Sequence, residues 1–261
     1  MPTNKTKISV DWDKYAEQYD AVTMGGVNPA YKDLLSLIRR KIIFGESNDI
    51  YKNYLFADIG GGTGNLSLSL APYFPKSTFL IIDKSSKMLE IAKRKAFNKG
   101  LENIDVMQED VENIDSIVKK YDRPIDCAIM VHTLYATKSI DDPKKPERIL
   151  SNIAHNLASD KSRFIIADVN QPLNTNSWIA YCLWNAYKKF GSVSETIKFF
   201  KDNDQSKLAN RYIDSLQKSG DYLLCNLVEF ENMLRKAGFN KIYFSSDKLY
   251  RGRDNTIIAG I

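Results

Sequence analysis

The chain has 261 residues, of which 43% are apolar and 26% charged, as in a water-soluble globular domain. Its net charge of +5 is a small difference between 37 basic and 32 acidic residues. The basic clusters, such as 39–41 and 93–95, are short and scattered, which argues against the dense basic surface of a nucleic-acid-binding protein.

The cysteines and the N-terminus bear on the cellular compartment. Cys127, Cys182 and Cys225 show neither CxxC nor Cys/His zinc spacing, and the chain has only two histidines. This usage predicts buried free thiols in a reducing compartment and no metal site. We see no signal-peptide core and no apolar run near the ~18 residues of a membrane span. We therefore expect a soluble cytoplasmic monomer or homodimer without a membrane or nucleic-acid partner.

The first half of the chain predicts helices followed by an alternation of strands and helices. Helical periodicity covers 12–42, and its second segment starts at Pro29, whose fixed φ suits a first helical position. Ser85 or Ser86 is expected to cap a later helix that ends at Gly100. The predicted strands are 54–59, 77–83, 103–110, 125–131 and 162–169, and the helices between them are 65–74, 85–100 and 144–158.

The second half changes its pattern. Residues 172–220 are polar and helical, and aromatic residues recur there at every third position from Trp178 to Tyr187. A helix over 227–239 and two strands in 241–250 and 255–261 follow. The apolar strands of the first half predict a parallel sheet that is covered by helices on both faces. Such sheets bind ligands at the carboxyl ends of their strands.

A glycine-rich segment, DIGGGTGN at 58–65, joins the first predicted strand to a helix. Bare glycine permits positive φ and close approach of a ligand to the backbone. No Gly-Lys-Ser/Thr follows, which excludes a phosphate-binding P-loop, and Asn65 occupies the third glycine position of a dinucleotide fingerprint. Asp83 and Asp110 follow the next two strands, where carboxylates can bind a ribose and an adenine amino group. The three strand exits therefore predict a cleft for a nucleoside.

Four segments in this order resemble class I S-adenosylmethionine-dependent methyltransferases over about residues 12–170: DIGGGTGN, LIIDKSSKMLEIAKRKA, QEDVENI and DCAIMVHTLYA. The resemblance implies an α/β, Rossmann-like, seven-stranded sheet that is mostly parallel with an antiparallel last strand. Helices cover both faces. We predict one domain over 1–261, made of an N-terminal helical cap (1–50), a cofactor-binding core (51–170), a helical lid insertion after strand five (171–225) and a C-terminal helix with strands (226–261).

The resemblance also implies the cofactor S-adenosyl-L-methionine and its contacts. Residues 58–64 would hold the amino acid part, Asp83 the ribose, and Asp110 with Val111 the adenine, which Met88 would flank. The N-terminal tyrosines would close over the methionine end. The implied cofactor residues are Tyr15, Tyr19, Asp58, Gly60, Gly62, Gly64, Asn65, Asp83, Lys84, Met88, Asp110, Val111 and Val131.

The methyl acceptor is expected near the end of strand four. His132 is either a general base or a contact of the cofactor site, and Tyr135 is the second catalytic candidate. Trp178 and Tyr181 are candidates, with Tyr135, for binding the acceptor, although an aromatic stripe also suits core packing. Strand four supplies no carboxylate, so we expect no catalytic metal.

We expect methyl transfer to an oxygen or nitrogen of a small molecule, such as an aromatic specialised metabolite, by in-line displacement. One alternative is an RNA or protein methyltransferase, which would use the same cofactor with a macromolecular acceptor. A protein that binds the cofactor without turnover is a third reading. An NAD(P)-dependent oxidoreductase is the alternative of another class.

Overall fold

The computed structural model describes residues 10–44, 49–169, 172, 174–223, 226–244 and 254–260. Its α-helices are α1 (Trp12–Thr23), α2 (Pro29–Ile43), α3 (Ser67–Leu70), α4 (Ser86–Asn98), α5 (Asp115–Tyr121), α6 (Lys145–His155), α7 (Thr175–Phe190), α8 (Val193–Asp202), α9 (Gln205–Ser219) and α10 (Leu227–Lys236). Its strands are β1 (Leu55–Ile59), β2 (Thr78–Asp83), β3 (Ile104–Gln108), β4 (Cys127–Val131), β5 (Arg163–Val169), β6 (Lys241–Phe244) and β7 (Asp254–Gly260).

The strands form one seven-stranded sheet in the order β3-β2-β1-β4-β5-β7-β6. β1 to β5 are parallel, and β7 runs antiparallel to both β5 and β6. The strand order reverses between β1 and β4, and this switch point is where open α/β sheets bind ligands. The predicted fold class, with its antiparallel last strand, is confirmed.

The core lies on both faces of the sheet, which explains the continuous apolar runs in the sequence. Ala57 and Ile59 of β1 pack on one face with α6 and α10, whereas Phe56 packs on the other face with α2. The Phe56 and Phe79 rings stack with a centroid distance of 4.4 Å. Asp58 lies in the same strand and is buried, so a carboxylate enters the core at the ligand-binding end of the sheet.

Two predicted helices differ from the structure in extent. Residues 65–74 form only the single turn α3 and a 3-10 turn at Ala71–Tyr73, because Pro72 cannot donate an amide hydrogen bond to a continuing helix. Residues 172–220 contain three helices, and α7 ends where Gly191 adopts φ +69°. The short helix α5 was not predicted. Cys225, with residues 1–9 and 245–253, lies outside the described residues, as do parts of the predicted cap, insertion and strands.

Helices from both ends of the chain cover the carboxyl edge of the sheet. α1 packs against α4 and α9, and α7 packs against α8. Among the described residues, no helix is both long enough and apolar enough to cross a membrane.

Candidate active site

A cavity of about 800 Å³ lies at the carboxyl edge of the sheet, between the strand ends and the covering helices. Gly64 and Tyr181 are the predicted site residues that do not line it. Its wall includes the other predicted residues: Tyr15, Tyr19, Asp58, Gly60, Gly62, Asn65, Asp83, Lys84, Met88, Asp110, Val111, Val131, His132, Tyr135 and Trp178. The structure therefore brings together residues that are up to 163 positions apart, from Tyr15 to Trp178.

The glycine segment forms a tight loop against two neighbouring strands. The amides of Gly60 and Gly61 both donate to the carbonyl of Ile82, at 2.8 and 3.0 Å. Gly60 has φ +71°, and a Cβ placed on it would lie 2.4 Å from Oγ1 of Thr133. Gly60 is therefore required both by its backbone conformation and by the approach of the β4 loop.

Gly62 has a different environment, which suits the predicted cofactor. Its φ is +54°, and a Cβ there would meet no atom closer than Oδ2 of Asp83 at 3.9 Å and Sδ of Met88 at 4.0 Å. Bare backbone thus faces the cavity beside a carboxylate and a thioether. Gly64 instead packs on Ile81, whose Cδ1 would lie 2.6 Å from an added Cβ, so its role is in packing the loop.

Asp83 is held by two backbone amides. Its Oδ2 accepts from Gly62 at 3.0 Å and its Oδ1 from Ser85 at 2.9 Å, and Ser85 is also the N-cap of α4. Burial raises the pKa of Asp83, against the opposing effect of these two donors. Each carboxylate oxygen has a second lone pair, so Asp83 can still accept from the two hydroxyls of a ribose.

Asp110 and Asp58 border the cavity in different environments. Asp110 is exposed, and its Oδ1 accepts from the amide of Glu112 at 3.1 Å. Asp58 is buried and accepts from Oγ of Ser67 at 2.6 Å. Burial raises the pKa of Asp58 to about 6, so part of its negative charge is suppressed in mildly acidic solution.

Asn65 connects the glycine loop to α1 through a carboxylate that the sequence did not identify. Oδ1 of Asp20 accepts from Thr63 Oγ1 at 2.7 Å and from Asn65 Nδ2 at 2.9 Å, and Oδ2 pairs with Lys95 Nζ at 2.7 Å. We call these four side chains the Asp20 cluster. The sequence places Asp20 seven residues after Asp13, on the same helical face, but this spacing does not identify the partners of either carboxylate.

Asp13 makes the second attachment of α1. Its Oδ1 accepts from Oγ of Ser85 at 2.6 Å and from the amide of Lys87 at 3.2 Å. A carboxylate at the N-terminus of α4 is also favoured by the helix dipole. Helix α1 is thus attached to the glycine loop and to Lys95 of α4 near its C-terminal end, and to the start of α4 near its N-terminal end.

A row of aromatic rings runs from α1 to the end of β4. The centroids of Tyr15 and Tyr19 are 5.6 Å apart, those of Tyr19 and Tyr31 are 6.5 Å apart, and those of Tyr31 and His132 are 5.9 Å apart. The Tyr19 hydroxyl donates to that of Tyr31 at 3.3 Å. Burial raises the pKa of Tyr31 to about 12 and that of Tyr19 well above its ordinary value, so both stay neutral at physiological pH. Tyr31 was not predicted as a site residue.

His132 has a left-handed backbone with φ +50°, and its amide donates to the carbonyl of Ala167 at 2.9 Å. Positive φ is uncommon for a residue with a side chain and occurs preferentially at functional sites. The conformation turns the chain sharply at the end of β4, where His132 lines the cavity.

Tyr135 connects this turn to two other segments. Its amide donates to Oδ2 of Asp168 at 3.0 Å, its carbonyl accepts from Leu223, and its ring lies 5.0 Å from that of Tyr222. The side chain of Asp168 also accepts from the amide of Val169, at 2.8 Å. In the described part of the chain, no three His, Cys, Asp or Glu side chains are grouped as metal ligands.

The aromatic stripe of α7 divides between core and surface. Trp178 is buried against Val27 and Ala30 and also lines the cavity. Tyr181 packs 5.3 Å from the Trp178 ring, outside the cavity wall, and Trp184 is 59% exposed. The cavity wall continues along α7 with Ile179, Cys182 and Leu183.

Comparisons with known proteins agree with this geometry. A family model described as a methyltransferase domain matches residues 50–237. The chain is 24% identical over 248 residues to the ubiquinone/menaquinone biosynthesis C-methyltransferase UbiE of Zymomonas mobilis, which covers 92% of this chain and 88% of that protein. It is 28% identical over 120 residues to a malonyl-(acyl-carrier protein) O-methyltransferase of Priestia megaterium, which covers 46% of this chain and 39% of that protein's length.

Among solved structures, the magnesium protoporphyrin IX methyltransferase of Synechocystis PCC 6803 with bound SAH superposes with a TM-score of 0.57 at 14% identity. The superposition covers 95% of this chain and 99% of that one, and it supports the fold. The chain belongs to the methyltransferase domain family, and the predicted class I S-adenosylmethionine-dependent type, with S-adenosylmethionine as its cofactor, is confirmed. Because these matches are to methyltransferases, they decide against the alternative of an NAD(P)-dependent oxidoreductase.

Proposed function

We propose that this protein transfers the methyl group of S-adenosylmethionine to an oxygen or nitrogen atom of a small molecule. The observation that carries this proposal is one continuous cavity, which runs from the glycine loop and Asp83 to the apolar wall of α7 under a roof of helices. Its volume of about 800 Å³ is near the upper end of the range for ligand pockets, as suits a cofactor and a small acceptor together.

The cofactor end of the cavity matches the chemistry of a nucleoside joined to an amino acid. Asp83 would accept the ribose hydroxyls, Asp110 and Val111 would border the adenine, and Met88 would pack on its face. Gly60 and Gly62, with Asp58, would receive the amino acid part, and Tyr15 and Tyr19 would cover it. When bound, S-adenosylmethionine supplies an electrophilic methyl group on a sulfonium.

Two residues at the end of β4 are the proposed contacts on the reacting side. His132 lies beside Tyr31 and can accept a proton from a phenol, carboxyl or ammonium group of the acceptor. If His132 instead forms part of the cofactor site, its substitution should lower cofactor affinity together with turnover. Tyr135 borders the same region, and Trp178 would contact the acceptor's apolar part. Tyr181, outside the cavity wall, would act on the acceptor only through Trp178.

The covering helices favour a small acceptor over RNA or protein, because α1, α7 and α9 contribute side chains to the cavity above the strand ends. The buried free thiols of Cys127 and Cys182 suit a reducing compartment, and we place the reaction in the cytoplasm. We expect a monomer or homodimer, which size-exclusion chromatography with light scattering determines.

The test has a binding step and a turnover step. S-adenosylhomocysteine should raise the melting temperature of the protein, whereas NADH should not. Labelled S-adenosylmethionine is then offered with aromatic and amine metabolites, and separately with tRNA and protein mixtures. Label in a small metabolite supports the proposal, and label only in RNA or protein overturns its acceptor class. Binding without turnover is the outcome that a non-catalytic member of the family predicts.

A further inference from the structure

The cavity wall carries acids and Lys84 at the strand exits and a group of cations on the covering helices. The acids of the wall, Asp58, Asp83 and Asp110, belong to the strand exits of the cofactor end. On the covering helices, the wall includes the exposed residues Lys201 near the end of α8 and Lys207 and Arg211 on α9. We call these three cations the α8–α9 basic cluster.

The side chains of this cluster have no ion pair or hydrogen bond within the described part of the chain. By contrast, Lys145, which also lines the cavity, pairs with Glu112 at 2.7 Å. The carboxylate of the neighbouring Asp204 accepts from Gln18 and Gln205. Lys207 and Arg211 stand four residues apart on one helix, where like charges repel each other. The arrangement is unfavourable for α9 by itself and suits a bound anion.

The wall next to the basic cluster is apolar. Ile179 and Leu183 of α7 and Ile197 and Phe200 of α8 line the cavity there. One polar atom is added by Thr175 Oγ1, which is buried and has no hydrogen-bond partner among the described residues. This part of the cavity therefore offers a long apolar surface that ends in positive charge.

We propose that the methyl acceptor is an amphiphilic anion, with an apolar body along α7 and a carboxylate or phosphate bound by Lys201, Lys207 and Arg211. This inference rests on the proposed function and names its acceptor class. His132, on the proposed reacting side, follows β4, whereas the basic cluster lies on α8 and α9. The anionic group would therefore anchor the acceptor, and a different atom of the acceptor would receive the methyl group.

The test uses two probes that differ only by an anionic group. 8-Anilinonaphthalene-1-sulfonate and the uncharged N-phenyl-1-naphthylamine share their aromatic body and fluoresce when they bind apolar surfaces. Their affinities are measured with S-adenosylhomocysteine at saturation. One triple variant carries Lys201→Gln, Lys207→Gln and Arg211→Gln. The control carries Lys188→Gln on α7, Lys198→Gln on α8 and Lys218→Gln on α9, with the same change in net charge and outside the cavity wall.

We expect the cavity variant to bind the sulfonate about tenfold more weakly and the uncharged probe unchanged, with little effect in the control. Equal losses in the two triple variants, or no preference of the wild type for the anionic probe, would overturn the proposal. Displacement by decanoate or decyl phosphate at concentrations where decanol is inactive would support it, and the stronger competitor distinguishes carboxylate from phosphate. Equal displacement by decanol would count against it.

This readout is independent of turnover. If S-adenosylhomocysteine did not bind, the proposed function would fail whatever the probes showed. If the cofactor bound and methyl transfer occurred while the probes showed no anion preference, only the inference about the acceptor would fail.

Discussion

Nζ of Lys95 on α4 lies 2.7 Å from Oδ2 of Asp20 on α1, in an ion pair that is partly buried beside the glycine loop. Asn65 accepts a further hydrogen bond from the same ammonium, at 2.6 Å. Burial lowers the pKa of Lys95, against the opposing effect of Asp20. The cap helix is therefore attached to the loop that would receive the cofactor, so closure of the cavity and the shape of the loop depend on the same carboxylate.

Asp20→Asn should weaken both the fold and cofactor binding. The amide can keep the bonds from Thr63 and Asn65 but removes the charge opposite Lys95. We expect the free energy of unfolding to fall by about 1–2 kcal/mol and the dissociation constant of S-adenosylhomocysteine to rise by about five- to tenfold. Chemical denaturation and calorimetric titration measure the two quantities.

Glu17→Gln is the matched control, since Glu17 is on the same helix and faces Arg94 of α4 across 3.8 Å in an exposed pair. It should change the unfolding free energy by less than about 0.5 kcal/mol. Similar effects of the two substitutions would show that the Asp20 cluster does not hold the cap.

Gly60→Ala and Gly62→Ala should separate packing from ligand binding within one loop. At Gly60 the added methyl overlaps Thr133, so we expect a loss of about 2–4 kcal/mol in unfolding free energy. At Gly62 the added methyl overlaps no atom, so we expect only backbone strain, with a loss of about 1–2 kcal/mol in unfolding free energy. The methyl group there would project toward the cavity between Asp83 and Met88. S-adenosylhomocysteine should therefore bind at least about tenfold more weakly to the Gly62 variant than to the wild type. A loss of stability in a protein that is still folded would not by itself produce this change.

Adding Thr133→Ala to Gly60→Ala should restore part of the lost stability, because it removes the two atoms nearest the new methyl. The same addition should not rescue Gly62→Ala. If both glycine variants lost stability equally and kept cofactor affinity, the assignment of Gly62 to the cavity floor would be wrong.

Local sequence patterns were sufficient for much of this fold. The buried strands β1, β2 and β4 consist mostly of apolar residues, and Ser85 caps α4 as expected. The helix α5 escaped prediction because its seven residues are too few for a helical period to be distinguished.

The missed site residues depend on long-range packing. Asp20 contacts Asn65 from 45 positions away, and Tyr31 meets His132 from 101 positions away, so no local pattern specifies either partner. Trp178 and Tyr181 belong to one stripe, and only the packing of α7 on Val27 and Ala30 decides which of them lines the cavity.

Asp58→Asn should stabilise the protein near neutral pH. Because burial raises the pKa of Asp58 from 3.8 to about 6, the folded protein keeps a proton that the unfolded chain loses. Stability from this group is therefore fully present below about pH 4 and declines as the pH rises through about 6. Asparagine can still accept from Ser67 and does not ionise, so its variant should gain about 2–3 kcal/mol over wild type at pH 7.

The difference between the two proteins should vanish near pH 4, which chemical denaturation from pH 4 to 8 measures. Taking the difference removes the contributions of titrating groups that do not interact with Asp58, whereas the effect of Asp83 on Asp58 is part of the difference. A difference in unfolding free energy that stayed constant from pH 4 to pH 8 would mean that Asp58 does not titrate in this range. Since the ionised carboxylate faces the proposed site of a cationic cofactor, the stabilised variant should bind S-adenosylmethionine more weakly than wild type.

His132→Asn distinguishes a general base from a wall of the cofactor site. Asparagine tolerates the left-handed backbone at φ +50°, so the turn after β4 should be kept. Loss of a general base should lower kcat by about 10²- to 10⁴-fold and leave the dissociation constant of S-adenosylmethionine within about twofold. His132→Gly, which also suits this backbone, should give the same result, whereas His132→Ala should add a stability loss of about 1 kcal/mol. Parallel losses of cofactor affinity and turnover in the Asn and Gly variants would instead identify His132 as a cofactor contact, and an acceptor that arrives already deprotonated would then need no base.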